Sequence, residues 1–425
     1  MILEIRLSNF FSIKEEVVLD MRAAGIKTKN ARALSDNIFR YNDADILKTA
    51  VIYGANASGK SNIIKAIRFC SVMILNSANH NENVVFNYRK YKFANYTHKP
   101  SEFFINFVVN EIEYEYSFSL MQSKIITESL YYYPKGQIKK RAKKIFLRNE
   151  KAGKTKKEKY SFSSEIKRPF DIAGNTSDKT LYLSRASQMD RDIAKEIFRY
   201  FSNNFILGYI GYNVLQTEDL FQTYKNQLLK ALQIADSDIV NITVKKIKMP
   251  GKNLNVSLKD NTLEEVSIED VIQEKLQIKT YHKTDPSKSF DLLSEESDGT
   301  KKLFVIMLSI LDVIANNKTL LVDEIGESLH TDIIEYIFNL FRASDKAQII
   351  CTTHNTRFLD LTKFRKDQIY FVNKKDDGST DLYSLYDYSD FRDHMDLEKA
   401  YLQGRFDAIP FINDSIENLK QLING

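Results

Sequence analysis

GANASGKS, residues 54–61, decides how this chain is read. It fits GxxxxGK[ST], a pattern short enough to need support from its flanks. Before it, LKTAVIYG (47–54) is a continuous apolar run that predicts a buried strand. After it, SNIIKAIRFCSVMIL (61–75) places apolar residues at helical spacing. A short loop between strand and helix turns successive backbone N–H groups inward, where they cradle phosphate. Gly54 and Gly59 permit the tight backbone, Lys60 neutralises the β- and γ-phosphates, and Ser61 offers a hydroxyl to Mg²⁺. Asn56 and Ser58 in the loop, and Asn62 in the first helical turn, complete the expected nucleotide contacts. The helix that follows points its positive end at the anion. The competing reading is an ordinary strand–turn–helix.

Two more apolar strands end in polar residues. In TLLVDEIGESLH (319–330), Thr319 and three apolar residues run into Asp323 and Glu324. Two acids at the carboxyl end of a buried strand are costly unless they act on something. Asp323 is expected to hold Mg²⁺ through water, and Glu324 to orient or deprotonate an attacking water. A helix N-terminal acid pair on a solvated loop is the plainer alternative. In QIICTTHNTRFLD (348–360), His354 is expected to reach the γ-phosphate. A lone histidine is more often structural; its place after two phosphate elements favours the functional reading. SEESDGTKKL (294–303) puts hydroxyls and a glycine in front of an apolar helix. It reads either as an N-cap or as half of a site whose other half lies elsewhere.

Composition narrows the class. The chain has 425 residues, 43% hydrophobic and 28% charged, enough for two or three lobes with real cores. Met1 leads straight into ILEIRLSNF, which reads as a strand rather than a signal peptide, and no stretch is apolar and long enough to predict a membrane span. Two distant cysteines in apolar contexts, Cys70 and Cys351, fit a reducing, cytoplasmic setting. Six scattered histidines show no metal-ligand spacing. Net charge is +5, yet residues 135–159 hold twelve Lys or Arg against two Glu. That segment is either a solvated hairpin or a contact for a phosphate backbone such as DNA.

The expected organisation has four parts. Residues 1–185 form an N-terminal ATPase lobe with the P-loop and a β-rich portion. Residues 186–285 form a mainly helical insertion ending in short strand-like pieces. Residues 286–384 form a C-terminal lobe with the later motifs, and 385–425 a helical tail.

The motif order, P-loop, SDGT before a helix, LLVDE, ESLH and TTH, resembles the ABC-type ATPase class that includes SMC and RecF-like proteins. NFFSI, ESDGTKKLF, DEIGESLH, TTHNTRFLD, DQIYFVNK and DLEKAYLQGRFDAIP together resemble, more narrowly, the AAA-type ATP-binding proteins of bacterial anti-phage loci, RloA-like proteins and the PARIS-type ATPase among them. The resemblance implies an α/β fold: an ABC-type P-loop NTPase head with an N-terminal antiparallel β portion, a helical insertion and no long coiled coil. It implies ATP and Mg²⁺ as cofactors, with ATP sandwiched in a homodimer or higher homo-oligomer. Ser297 and Gly299 would then approach the γ-phosphate held by the other subunit. It also implies a separately encoded effector, a nuclease or toxin. Two departures stand out. No Q-loop glutamine can be placed between residues 62 and 290, and GRFDAIP carries Asp407 where a second glycine is expected. Residues 355–425 are too few for the Toprim nuclease that OLD-type proteins fuse there, so any nuclease is expected on another chain. The leading expectation is an ATPase that senses or regulates in anti-phage defence. The alternatives are a RecF-like DNA-binding repair protein and a scaffold that binds ATP but hardly turns it over.

Overall fold

The computed structural model describes residues 1–135, 141–209, 214–234, 238–259, 262–327, 329–392, 394–409 and 416–424. The chain divides into two units. One comprises Met1–Gly208, Asn316–Glu327 and Phe338–Gly425; the other comprises Tyr209–Ala315 and Ser328–Ile337.

The chain opens with strands β1 (Ile2–Ser8) and β2 (Val17–Asp20), helix α1 (Lys29–Ala33), and a small hairpin of β3 (Ile38–Tyr41) and β4 (Ala44–Leu47). Strand β5 (Thr49–Gly54) leads through the P-loop into α2 (Lys60–Asn76). A meander follows: β6 (Ser101–Val109), β7 (Ile112–Met121), β8 (Lys124–Tyr133), β9 (Lys143–Asn149), α3 (Lys156–Lys159) and β10 (Tyr160–Phe162). Helices α4 (Pro169–Gly174), α5 (Tyr182–Gln188) and α6 (Asp192–Asn203) lead to β11 (Phe205–Leu207). The second unit holds α7 (Val214–Ile234), β12 (Ile239–Lys259), β13 (Thr262–His282), β14 (Asp285–Asp291) and α8 (Asp298–Ala315). The remainder is β15 (Thr319–Val322), α9 (Thr331–Ala343), β16 (Gln348–Thr352), β17 (Ile369–Lys374), β18 (Thr380–Ser384), α10 (Leu397–Leu402) and α11 (Ile416–Asn424).

Two large sheets and the small β3–β4 hairpin build the first unit. One is antiparallel, in the order β10-β9-β8-β7-β6-β1-β2. The β-rich portion expected from alternating runs is this sheet, extended by the N-terminal strands. The other runs β11-β15-β16-β5-β17-β18 and is parallel except for β18. Every residue of β5, β15 and β16 is buried. Parallel strands covered on both faces read as unbroken apolar runs rather than alternating ones, which is why these three are legible in sequence. They are adjacent in the order β15-β16-β5, so the polar residues that follow each of them emerge side by side at one edge of the sheet.

Residues 186–285 depart from a mainly helical insertion. Helix α6, in the first unit, and helix α7, in the second, account for the first half of that range. The strand-like pieces around NITVKKIKM and KTYHK belong to β12 and β13, each 21 residues long and paired antiparallel as one ribbon. Pairs such as Ile242 with Thr280 and Val244 with Ile278 lie more than thirty positions apart, and local periodicity carries no trace of a partner that distant. Helix α7 packs on α8 through Phe221 and Phe304, ring centroids 6.4 Å apart. At 21 residues, α7 is the longest described helix, so the described residues contain no long coiled coil. Among them, no helix is long and apolar enough to cross a membrane.

Candidate functional site: a nucleotide cradle at the sheet edge

The P-loop leaves β5 at Gly54 and enters α2 through Gly59. A Cβ on Gly54 would lie 2.6 Å from the Val372 carbonyl oxygen and 2.7 Å from Ser58 Oγ, so the close approach of β17 requires glycine there. Gly59 has φ +112°, and a Cβ on it would stand 2.0 Å from Thr380 Oγ1. Both glycines of the motif are therefore demanded by the tertiary structure.

A hydroxyl relay holds this loop. Thr380 Oγ1 donates to the Ser58 carbonyl at 2.9 Å and pairs with Ser12 Oγ at 2.6 Å. Asn62 Nδ2 donates to Ser12 Oγ at 2.7 Å, so this amide, expected on the nucleotide, is committed to the loop between β1 and β2. The Thr380 N–H donates to the Ser12 carbonyl at 2.7 Å. NFFSI and the start of β18 thus converge on the P-loop. Sequence reading singled out NFFSI only by resemblance and missed Thr380, which lies 321 positions beyond Gly59 and carries no local signal.

Lys60 is buried, and its Nζ donates to the carbonyls of Gly54 and Ala55 at 2.8 and 2.9 Å. Burial lowers its pKa from 10.5 to about 8, opposed by the charges of Glu324 and Asp323. An ammonium held this way gains most from an added anion. Ser58 Oγ is buried with no hydrogen-bond partner in the protein. An orphaned hydroxyl, a left-handed glycine and a desolvated lysine in one loop fit a polyphosphate.

Asp323 and Glu324 follow β15. Thr352, the last residue of β16, donates from Oγ1 to Asp323 Oδ1 at 2.7 Å, and its Oγ1 accepts the Glu324 N–H, also at 2.7 Å. Glu324 has φ +55°, a left-handed conformation that side chains other than glycine rarely adopt. The surrounding structure holds this backbone, since the Glu324 N–H donates to Thr352 Oγ1. His354 Nε2 lies 3.7 Å from Glu324 Oε1, and both side chains are partly open to solvent. Burial and the nearby Lys60 charge lower the His354 pKa, against the pull of Glu324 and Asp323. The shift favours the neutral imidazole, which donates at one ring nitrogen and accepts at the other. Thr352 was missed by sequence reading, although TTH places it two residues before His354.

The structure thus gathers Lys60, Asp323, Glu324 and His354 at one edge of the parallel sheet, with Ser61 in the first turn of α2. Among the described residues no group of three or more His, Cys, Asp or Glu is placed to hold a metal. The donor set suits Mg²⁺, which keeps several waters and takes one or two protein oxygens plus substrate phosphates. Asp323 and the Ser61 hydroxyl are the protein groups that would hold it, and it would neutralise charge on the phosphates.

Ser297 and Gly299 belong to the second unit. Ser297 Oγ accepts the Thr300 N–H at 3.1 Å and so caps α8. Glu296 bonds Thr280 and, at 2.7 Å, His282 Nε2, which ties the stretch before the cap to β13. Gly299 has no positive φ, and a Cβ on it would meet only Ser297 Oγ, at an ordinary 3.7 Å. Nothing among the described residues of its own unit demands a glycine there.

In the basic segment, Arg148 is fully buried, bonding the carbonyls of Thr180 and Ser177 at 2.7 and 3.0 Å and Glu150 at 2.8 Å. Lys144 bonds Ser161, Lys156 the Thr176 carbonyl, and Lys159 pairs with Glu150. Several of its charges therefore serve the fold. Lys139 and Lys140 lie outside the described residues.

This sheet order and this loop define a P-loop nucleotide-binding α/β protein. Residues 50–360, most of the chain, match the family described as AAA domain, putative AbiEii toxin, type IV TA system, and the chain belongs to that family. No curated protein matches it. Similar solved structures include an SMC head bound to the C-terminal winged-helix domain of ScpA, 16% identical, covering 94% of this chain and 99% of that one with a TM-score of 0.43. They also include the SMC head domain from Thermotoga maritima, 13% identical, covering 90% and 98%, TM-score 0.39. A third is an SMC head with an extended coiled coil bound to the C-terminal domain of ScpA derived from Pyrococcus furiosus, 14% identical, covering 95% and 98%, TM-score 0.39.

Proposed function

We propose that this chain hydrolyses ATP with Mg²⁺ and acts in bacterial anti-phage defence, as the sensor or regulator of a separately encoded nuclease or toxin. The observation that carries the ATPase reading is the meeting of Lys60, Asp323, Glu324 and His354 at the carboxyl ends of β5, β15 and β16. Lys60 binds phosphate, Asp323 and Ser61 hold Mg²⁺, Glu324 positions and activates water, and His354 bonds the γ-phosphate. Glu324, half-exposed beside His354, is free to take a proton from water.

The sandwiched homo-oligomer is supported by Gly299. A glycine that its own unit does not require, beside a capped helix N-terminus, suits close approach by a partner's nucleotide. The regulatory role and the separate effector rest on the motif resemblance alone; the family description names a putative toxin of a type IV TA system. Two free, buried cysteines suit a cytoplasmic setting. The decisive experiment is ATP turnover by wild type and Lys60→Ala; wild-type turnover in the variant sinks the reading.

A RecF-like DNA-binding role rests on Arg141, Lys143 and the exposed lysines after β9, since Lys144, Lys156, Lys159 and Arg148 are engaged within the protein. Salt-sensitive duplex binding that is lost on neutralising Lys139, Lys140, Arg141, Lys143 and Lys144 together would favour it.

A further inference from the structure

The loop between α2 and β6 contributes no side chain to the phosphate site. Residues 83–101 carry Arg89, Lys90, Lys92 and Lys99 and no acid, interleaved with Tyr88, Tyr91, Phe93 and Tyr96. The fold sorts these residues into two sets. Lys90 and Tyr91 are buried and, with the buried Asn9, hold the loop backbone from below. Asn9 Nδ2 donates to the carbonyls of Tyr96 and Lys99 at 2.9 and 3.0 Å, and its Oδ1 accepts the Tyr91 N–H at 3.1 Å. Lys90 Nζ donates to the carbonyls of Thr97 and Lys99 at 3.1 and 2.9 Å. Arg89, Lys92, Phe93, His98 and Lys99 are exposed. Ala94 and Asn95 turn the tip with φ +54° and +60°. A loop pinned by buried side chains presents the exposed ones with little ordering cost on binding.

Phe93 is the centre of this surface. Its ring is 64% exposed, yet it is held in place. Tyr91 meets it edge-on, ring centroids 5.6 Å apart at 74°, and a Cβ on Gly378 would lie 3.8 Å from its Cε2, so the turn between β17 and β18 backs it. The Tyr91 hydroxyl in turn donates to the Asp377 carbonyl. Lys99 Nζ sits 3.9 Å from the Tyr96 ring centroid. Glu15 accepts the Tyr96 hydroxyl and Asp377 pairs with Lys14 at 2.8 Å. Among the described residues no acid pairs with Arg89, Lys92 or Lys99. We propose that this loop binds single-stranded nucleic acid, with a base stacked on Phe93 and backbone phosphates along Arg89, Lys92 and Lys99. Stacking needs an open π-face, which unpaired bases offer and a duplex hides. Cations that no acid neutralises supply the phosphate contacts. One ring among cations, rather than a contiguous apolar patch, fits a polyanion with planar faces and not an apolar protein partner. The surface uses neither the basic segment 135–159 nor the groups that turn over ATP, so it stands or falls apart from both readings above.

The test is fluorescence anisotropy of a labelled oligothymidylate, an oligouridylate of equal length and a mixed-sequence duplex. Wild type should bind both single strands more tightly than the duplex. Phe93→Ala should weaken single-strand binding about tenfold without changing how affinity falls with salt, and Phe93→Trp should restore it. Lys92→Gln combined with Lys99→Gln should weaken binding and lower the slope of log affinity against log salt by about 1 to 2. MgATP affinity should stay at the wild-type value in every variant. Wild type that binds no single strand at low salt overturns the proposal, and so does a preference for duplex that Phe93→Ala leaves unchanged. Loss of MgATP binding in Phe93→Ala also overturns it, because the ring would then belong to the nucleotide site. Polyglutamate that displaces the labelled strand as readily as unlabelled oligothymidylate overturns it too, leaving a surface for acidic protein.

Discussion

The Thr352 hydroxyl links the two acids that follow β15, donating to Asp323 Oδ1 across 2.7 Å while accepting the Glu324 N–H at 2.7 Å. It fixes the carboxylate rotamer of one acid and the strained backbone of the other. Thr352→Val keeps the shape and removes the link. Turnover should fall about tenfold to a hundredfold, and the Mg²⁺ concentration for half-maximal activity should rise. An unchanged Mg²⁺ requirement would show that the hydroxyl is merely structural.

Glu324→Gln keeps the size of the side chain and removes its basicity. ATP binding should persist while hydrolysis drops by two orders of magnitude or so. If pairing is driven by ATP, this variant should run as a stable ATP-bound oligomer on size exclusion. A monomer that accumulates under saturating ATP would count against the sandwich.

The Lys60 pKa gives a pH prediction. Its folded value, about 8, lies below the ordinary 10.5, with burial the main cause. The folded chain binds this proton more weakly than the unfolded chain. The stability associated with Lys60 is therefore full above pH 10.5 and is lost as pH falls through about 8. A Lys60→Met protein should lose this rise in melting temperature between those limits. A phosphate beside the ammonium reverses the depression, so MgATP binding at about pH 8.5 should take up protons. Calorimetry in two buffers of different ionisation enthalpy measures this, and zero uptake would place the phosphates away from Lys60.

The Ser12–Thr380 relay predicts a split between ATP affinity and stability. Thr380→Val should weaken ATP binding several-fold with little change in melting temperature, and Thr380→Ser should restore it. Equal behaviour of the two variants would mean that the hydroxyl does not position the loop.

Two glycine substitutions should differ in kind. Gly59→Ala meets Thr380 Oγ1 at 2.0 Å and is strained at φ +112°, so it should abolish nucleotide binding. Gly299→Ala meets nothing closer than 3.7 Å, so fold and ATP binding should survive while ATP-driven pairing and hydrolysis fail. Ser297→Ala should in addition cost about 1 kcal/mol in the stability of α8 through its lost cap. If Gly299→Ala hydrolyses ATP normally, 294–303 is only a cap.

Much of the site was legible in sequence because its pieces are local. GANASGKS, LLVDE and TTH each follow a short apolar run, and a strand buried on both faces advertises itself without reference to its neighbours. Those runs determined the strands, the phosphate loop and the identity of the acids and the histidine. Tertiary structure alone decided what holds them. It brought Thr380 against Gly59, turned Asn62 away to Ser12, put Thr352 between Asp323 and Glu324, and pinned the loop before β6 to Asn9. It also joined β12 and β13 into one ribbon where only short strand-like pieces were visible. Each of these is a contact between residues distant in sequence, or a left-handed backbone such as that of Glu324. Periodicity records which face of an element is buried, but not which distant residue buries it.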